Sequence, residues 1–165
     1  MNPTLVRDLM TVGVPTCKRS TPVPDIASYL LEHNVEGMCV LDEGGRGIGV
    51  VGLEELAAVY SRENVRTLIA EQVMREGMPT LNADLPLDLA IQFMRDQNTR
   101  IAYLTHNSAG IIYPAAYITY RHFTRHLATK DEETLRDLGI EAERESPIDA
   151  FIRRRDEARK KAGLS

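Results

Sequence analysis

LVRDLMTVGVPTCKRSTPVPDIASYLLEHNVEGMCVLD, residues Leu5–Asp42, is echoed further along the chain by IAEQVMREGMPTLNADLPLDLAIQFMRDQNTRIAYLT, residues Ile69–Thr105. Met10 aligns with Met74, Gly13 with Gly77, and Pro15-Thr16 with Pro79-Thr80, all at an offset of 64. A one-residue gap then gives an offset of 63, pairing Ile26-Ala27 with Leu89-Ala90 and Leu31 with Met94. A period of this length means one supersecondary unit made twice, so the repeat is the frame for everything else.

Each copy reads in the same order. An extended segment comes first, at Pro15–Lys18 and Pro79–Asn82. A helix follows, with Ile26, Tyr29 and Leu30, or Leu89, Ala90, Phe93 and Met94, at the spacing of one buried face. Ser20 or Thr21, and Asp84, stand where caps belong, and Pro22 and Pro24 suit a first turn. Apolar strands are expected at Met38–Leu41 and Ile101–Leu104. A Gly-rich turn, Glu43–Gly47, leads into Ile48–Val51; a longer one, Asn107–Pro114, leads into Ala115–Ile118. Second helices close the copies at Leu53–Tyr60 and Tyr120–Ala128. One copy is too small to cover both faces of its sheet, whereas two copies packed sheet to sheet share a core. The expected fold is α+β: two β-α-β-β-α repeats in a pseudo-twofold pair, spanning 4–62 and 65–128, with a helical extension over 129–165.

The composition narrows the function. The 165 residues are 43% hydrophobic and 27% charged, within the range of a globular protein. A formal charge of −4 supplies no footprint for bulk nucleic-acid binding, so nucleic acid is an unexpected partner. The absence of Trp excludes a large aromatic ligand box, although six Tyr and three Phe leave a stacking residue available. Cys17 and Cys39 make no CxxC pair and read as reduced, buried thiols. No stretch approaches the ~20 apolar residues of a membrane span, and MNPTLVRDLM lacks the apolar core of a signal peptide. A cytoplasmic protein with no membrane contact is expected. Nucleophile elbow, P-loop, HExxH and paired catalytic acids are missing, so no catalytic role is assigned. No residue set has metal-ligand spacing.

The doubled unit resembles the pair of cystathionine-β-synthase-type (CBS) repeats known as a Bateman module. The resemblance rests on Val6–Met10 and Ala70–Met74, on the Pro-Thr segments, and on the hairpin strand that runs into the last helix; it covers about residues 4–128. It implies a regulatory, signal-transducing module that binds an adenine nucleotide in the cleft between repeats and forms a homodimer. AMP, ADP, ATP, S-adenosylmethionine or NAD would be the regulatory ligand, with no cofactor required. Output would pass to a protein partner. The alternative is a ligand-free module for oligomerisation or docking.

The family's ligand motif is Gly, two apolar residues, Thr or Ser, two free positions, then Asp, at the mouth of the last helix. The first copy has Gly49-Val50-Val51-Gly52-Leu53-Glu54-Glu55, with glycine for the hydroxyl and Glu55 for the ribose-binding carboxylate. The second has Ala116-Tyr117-Ile118-Thr119-Tyr120-Arg121-His122, with the hydroxyl kept and His122 in place of Asp. The candidate ligand-binding residues are therefore Thr119, His122, Arg121, Glu55, Thr16, Thr80 and Tyr117, the Thr16 and Thr80 pair coming from the first-strand region that the resemblance implicates. Local readings compete with each. Thr119 also suits an N-cap, and Glu55 suits a carboxylate at a helix dipole. Tyr117 also suits sheet packing. Arg121, His122, Arg125 and His126 read either as a phosphate clamp, pH-sensitive through His122, or as a solvated face.

Beyond the repeats, Lys130–Glu145 is acidic, and Ser146-Pro147 opens a helix with Ile148, Phe151 and Ile152 on one face. Its basic end, Arg153 to Lys161, suits the negative pole of the helix dipole or an acidic partner.

Overall fold

The computed structural model describes residues 3–128, 155–157 and 163. The chain divides into two units, Met1–Leu127 and Ala128–Ser165. Of the second unit, residues 155–157 are helical and Arg155 pairs with Asp156. The acidic stretch and the apolar face expected of the tail lie outside the described residues.

Within the first unit, a helical turn α1 (Val6–Leu9) and a short strand β1 (Thr11–Val12) lead into β2 (Thr16–Lys18), α2 (Val23–Glu32), β3 (Gly37–Leu41), β4 (Gly47–Gly52) and α3 (Leu53–Val59). After a 3-10 turn at Val65–Thr67 the order recurs: α4 (Ala70–Val73), β5 (Arg75–Glu76), α5 (Leu87–Asp96), β6 (Ile101–Ser108), β7 (Ile111–Thr119) and α6 (Tyr120–Leu127). The counterpart of β2 is reduced to a bridge from Thr80 to Tyr103, braced by Leu81 N–H on the Tyr103 carbonyl and Tyr103 N–H on that of Pro79.

The two repeats exchange their leading arms. β1 adds antiparallel to β7, with Thr11 opposite Tyr117, making a sheet in the order β1-β7-β6. β5 adds antiparallel to β4, with Val50 opposite Arg75, making a sheet in the order β2-β3-β4-β5. The helical turns follow their strands. Val6, fully buried, packs with Ala90, Met94, Ala102 and Ile118 of the second repeat. Ala70 and Val73 pack with Ile26, Leu30, Val40 and Val51 of the first. Backbone bonds fix both arms: Val6 N–H to Leu85 and Arg7 N–H to Ala83, matched by Ala70 N–H to Thr21 and Glu71 N–H to Arg19. A third cluster, Cys39, Val50, Ile101 and Tyr103, joins the sheets face to face.

The repeat is more regular than the sequence alignment implies. α2 and α5 start at Val23 and Leu87 and both follow an N-cap proline, Pro22 and Pro86, so the offset stays at 64 with no gap. Asn34 and Asn98, both with φ near +50°, close the two helices. In this register Leu30 is the partner of Met94, and Leu31 is exposed. Leu89 likewise points to solvent; the buried stripe of α5 runs through Ala90 and Met94.

The expected caps are also corrected. Thr21 Oγ1 accepts from Lys18 N–H rather than from α2, and Asp84 forms an ion pair with Arg7. The second hairpin is longer than expected. Its strands run through Asn107 and Pro114, and the turn is only Ala109-Gly110, both with positive φ. That backbone is the one that joins two twisted strands in two residues. The register shift between Leu104 and Thr105, opposite Ala116 and Pro114, accommodates the proline, which has no N–H to give the ladder.

Candidate functional site

In the first repeat, the segment in which the hairpin strand enters the last helix lines a cleft against the second repeat. The short helices there are all started in one way. The side chain at the third helical position reaches back to the amide just before the helix: Asp8 to Leu5 N–H (2.8 Å), Glu55 to Gly52 N–H (2.9 Å), Gln72 to Ile69 N–H (3.0 Å) and His122 to Thr119 N–H (3.0 Å). This is the returning half of a capping box. Glu55 and His122, the residues at the carboxylate position of the motif, therefore each hold their own helix start.

His122 is buried and bonded on both ring nitrogens. Because Nδ1 accepts from Thr119 N–H, it carries no proton. The Thr119 hydroxyl then also donates to Nδ1 (3.0 Å), and Nε2–H donates to Thr11 Oγ1 at 2.8 Å. One neutral imidazole thus ties α6 of the second repeat to β1, the arm given by the first. Burial, first, and the nearby Arg125 charge lower its pKa from 6.5, against an opposing contribution from the Thr119 backbone. Tyr117 meets the ring edge to face at 5.6 Å. Thr119 is itself buried.

In the first repeat the position of the hydroxyl is Gly52, and the backbone explains it. A Cβ there would stand 2.7 Å from the Glu36 carbonyl oxygen, too close for any L side chain. Gly37, paired with Gly52 across β3 and β4, is confined less rigidly, by the side-chain tip of Ile101, whose Cδ1 would stand 2.7 Å from a Cβ there. Gly52 thus lets β4 lie close against the start of β3 in its own repeat, and Gly37 admits Ile101 of the other. α3 then receives no hydroxyl cap, and Leu53 N–H donates to the Glu36 carbonyl at 3.2 Å.

The cleft at the first-repeat motif is a cavity of about 80 Å³. Gly52 to Glu55 form one wall; Arg75 and Pro79 of the exchanged arm, with Thr99 to Ile101, form the other. Past Glu54, Glu55 and Arg75 it opens into a groove of about 510 Å³ that reaches Arg62, Met74 and Asn98. The Arg75 guanidinium bonds the carbonyls of Asn98 (2.5 Å) and Gln97 (2.6 Å), capping the end of α5. Two ion pairs cross between repeats: Glu54 to Arg100 at 3.1 Å and Glu36 to Arg121 at 3.7 Å. They are pseudo-symmetric, since Glu36 and Arg100 precede equivalent strands while Glu54 and Arg121 occupy equivalent helix positions. The first repeat supplies both carboxylates and the second both guanidiniums.

The seven sequence-selected residues thus divide. Thr119, His122, Tyr117 and Arg121 gather at the second-repeat motif, and Glu55 lines the first-repeat cavity. Thr16 and Thr80 are exposed, and the Thr80 hydroxyl donates to the Met78 carbonyl; the adjacent Pro79, not Thr80, lines the cavity. Sequence reading missed Thr11, Arg75, Arg100, Glu36 and Glu54. The opposite charges of Glu36 and Arg100 align at the ungapped offset of 64, whereas those of Glu54 and Arg121, 67 apart, align only once the longer second hairpin is allowed for.

Among the described residues no group of three or more His, Cys, Asp or Glu could hold a metal ion. Burial raises the Cys17 thiol to about 11 and the Cys39 thiol to about 12, so both stay protonated at neutral pH. No helix among the described residues is long and apolar enough to cross a membrane.

Two β-α-β-β-α repeats with exchanged arms define the class: the fold is that of a CBS-domain pair. Residues 6–62 match the CBS domain family model. The CBS domain pair of protein MJ0100, in complex with 5′-methylthioadenosine and S-adenosyl-L-methionine, superposes with a TM-score of 0.66 at 21% identity, over 77% of this chain and 98% of that one. CBSX2 in complex with AMP gives 0.60 at 22%, over 75% and 96%. The CBS-domain containing protein ATU1752 from Agrobacterium tumefaciens gives 0.66 at 18%, over 74% and 92%. In sequence, 85 residues, 52% of the chain, are 26% identical to L-aspartate semialdehyde sulfurtransferase of Methanocaldococcus jannaschii, but they span only 16% of that enzyme.

Proposed function

We propose that this chain is a regulatory module that binds an adenine nucleotide or related adenosyl compound between its repeats and reports the binding through their relative position. The observation that carries the reading is the first-repeat cavity, because Gly52 to Glu55 of one repeat and Thr99 to Ile101 of the other both line it. At about 80 Å³ it lies below the ~300 Å³ at which ligand pockets begin, so a nucleoside seated inside it, rather than in the adjoining groove of about 510 Å³, enters only if the walls part. Binding and repeat movement are then one event, and the ligand shifts the equilibrium by its difference in affinity between closed and parted forms. The surface changed in this way would meet a protein partner or a second copy of the chain. AMP, ADP, ATP, S-adenosylmethionine and NAD are the ligands to test, and neighbours solved with AMP and with S-adenosyl-L-methionine support that set.

Thermal unfolding of the whole chain with each compound at millimolar concentration tests the reading. A ligand at 100 times its dissociation constant adds about 2.7 kcal/mol, a rise of roughly 5–10 °C for a chain of this size. No rise with any compound would remove the sensor reading. A ligand-free scaffold would then stand, favoured by the turning of Glu55 and His122 onto their own helices.

A further inference from the structure

The second hairpin carries a feature that the first lacks. β6 and β7 run for 8 and 9 residues, against 5 and 6 for β3 and β4. From Ile101 to Tyr120 the chain has no Asp, Glu, Lys or Arg, whereas the first hairpin has Asp42, Glu43 and Arg46 at its turn. Thr105 to Ser108 are exposed. The outer part of this hairpin is thus an uncharged ribbon on a chain of formal charge −4.

Its two edges differ. β1 covers that of β7 as far as Ala115, whose carbonyl accepts from Gly13 N–H. Pro114, next along that edge, has no N–H to offer. On β6, Tyr103 N–H donates to the Pro79 carbonyl, and the Tyr103 carbonyl accepts from Leu81 N–H, so Tyr103 turns its backbone groups away from β7. The extra residue at the register shift, Ala115, lies on β7, so alternation along β6 is unbroken. Thr105 and Asn107 therefore turn their N–H and C=O outward as well, and among the described residues no backbone group meets them. A strand edge is ordinarily blunted by a charge or a proline, and this stretch of β6 carries neither.

We propose that the Thr105–Asn107 edge of β6 pairs antiparallel with the same edge of a second copy of this chain. The edge is self-complementary. With His106 on the twofold axis, Thr105 stands opposite the copy's Asn107, and every outward N–H of one edge meets an outward carbonyl of the other. An acidic chain repels its copies, but within the paired segments no carboxylate of one faces a carboxylate of the other. So short an edge buries less than the ~1,200 Å² of a stable interface, so the pair forms and separates reversibly. The inference is independent of the nucleotide reading.

Hydrogen exchange and sedimentation equilibrium of the whole chain, from micromolar to millimolar concentration, test the pairing. The average mass should rise with concentration, and exchange at the Thr105 and Asn107 amides should slow at least about threefold while that at Ile112 stays unchanged. Asn107→Pro removes an outward N–H and no bond of the β6–β7 ladder, as Pro114 already does on β7. His106→Glu sets two carboxylates face to face on the axis. Both variants should lose the concentration-dependent step and keep thermal midpoints within a few degrees of the parent. Slower exchange at Ile112 instead places the contact on β7 and overturns the proposal. Association undiminished in both variants also overturns it, because another surface then joins the copies. A parent chain that stays monomeric with unchanged exchange does so as well, and leaves the edge to a strand of a different protein.

Discussion

Glu55 and His122 occupy the same place in their repeats and do the same local work with different chemistry. Each accepts a backbone amide that the start of a helix leaves unbonded. The carboxylate has only acceptor oxygens to offer, whereas the imidazole accepts at Nδ1 only while that nitrogen carries no proton. His122 has a folded pKa below 6.5, so it contributes stability that is present above pH 6.5 and is lost as pH falls through the lower, folded value. His122→Gln should keep the cap, as Gln72 does, and abolish that part of the acid-side loss in denaturation followed from pH 7 to 5. His122→Ala should lose about 1–2 kcal/mol at pH 7, since the Thr119 amide and the Thr11 hydroxyl are both deserted. Gly52 gives a second prediction. Gly52→Thr, which restores the family's hydroxyl, should destabilise the fold by roughly 1–3 kcal/mol and improve binding of no ligand, because its Cβ meets the Glu36 backbone. The sequence displayed both departures from the motif but not their cause. A capping side chain and a ligand-binding one have the same spacing, and only the distance between β3 of one repeat and β4 beside it explains the glycine.

At the level of elements, the exchange of α1-β1 and α4-β5 determines where a local change is felt. Val6→Ala should cost about 2 kcal/mol in chemical denaturation. The loss should appear as faster hydrogen exchange in β6 and β7, not in the first repeat, because Val6 packs among Ala90, Met94 and Ile118. Faster exchange confined to β3 and β4 would refute the exchanged arrangement. Order and type of the long elements were legible from apolar spacing: α2, β3, β4, α3, α5 and α6 fall where expected, and β6 starts where expected. The arms were not. Four residues in a turn, only two of them apolar, then two in a strand, carry too short a pattern to show which sheet they join, and that choice is made by hydrogen bonds to the other repeat. The second hairpin was misjudged because Asn, Ser, Gly and Pro were read as turn residues together, whereas only Ala109-Gly110 turns.

For the molecule as a whole, the two ion pairs between repeats set the state from which a ligand must work. Both are partly exposed, so each holds little energy alone. Their effect is on register: they oppose a carboxylate-rich wall to a guanidinium-rich one. Reversing one pair, Glu54→Arg with Arg100→Glu, should leave the thermal midpoint within a few degrees, while Glu54→Arg alone should lower it more, by like-charge contact with Arg100. The fold class was readable from the internal repeat; the opposition of charges between repeats was not, because it depends on how the two copies face each other.

The crossing of the arms also sets a schedule for a chain emerging from the ribosome. Ile26 and Leu30 gain Ala70 and Val73 after some forty further residues. Val6, although made first, has no Ile118 to meet until 112 residues later. At roughly 5–20 residues per second that is about 6–22 s of waiting. The earliest segment of this unit is therefore among the last to be buried, and during that interval the amides of β1 are open to any strand edge that passes.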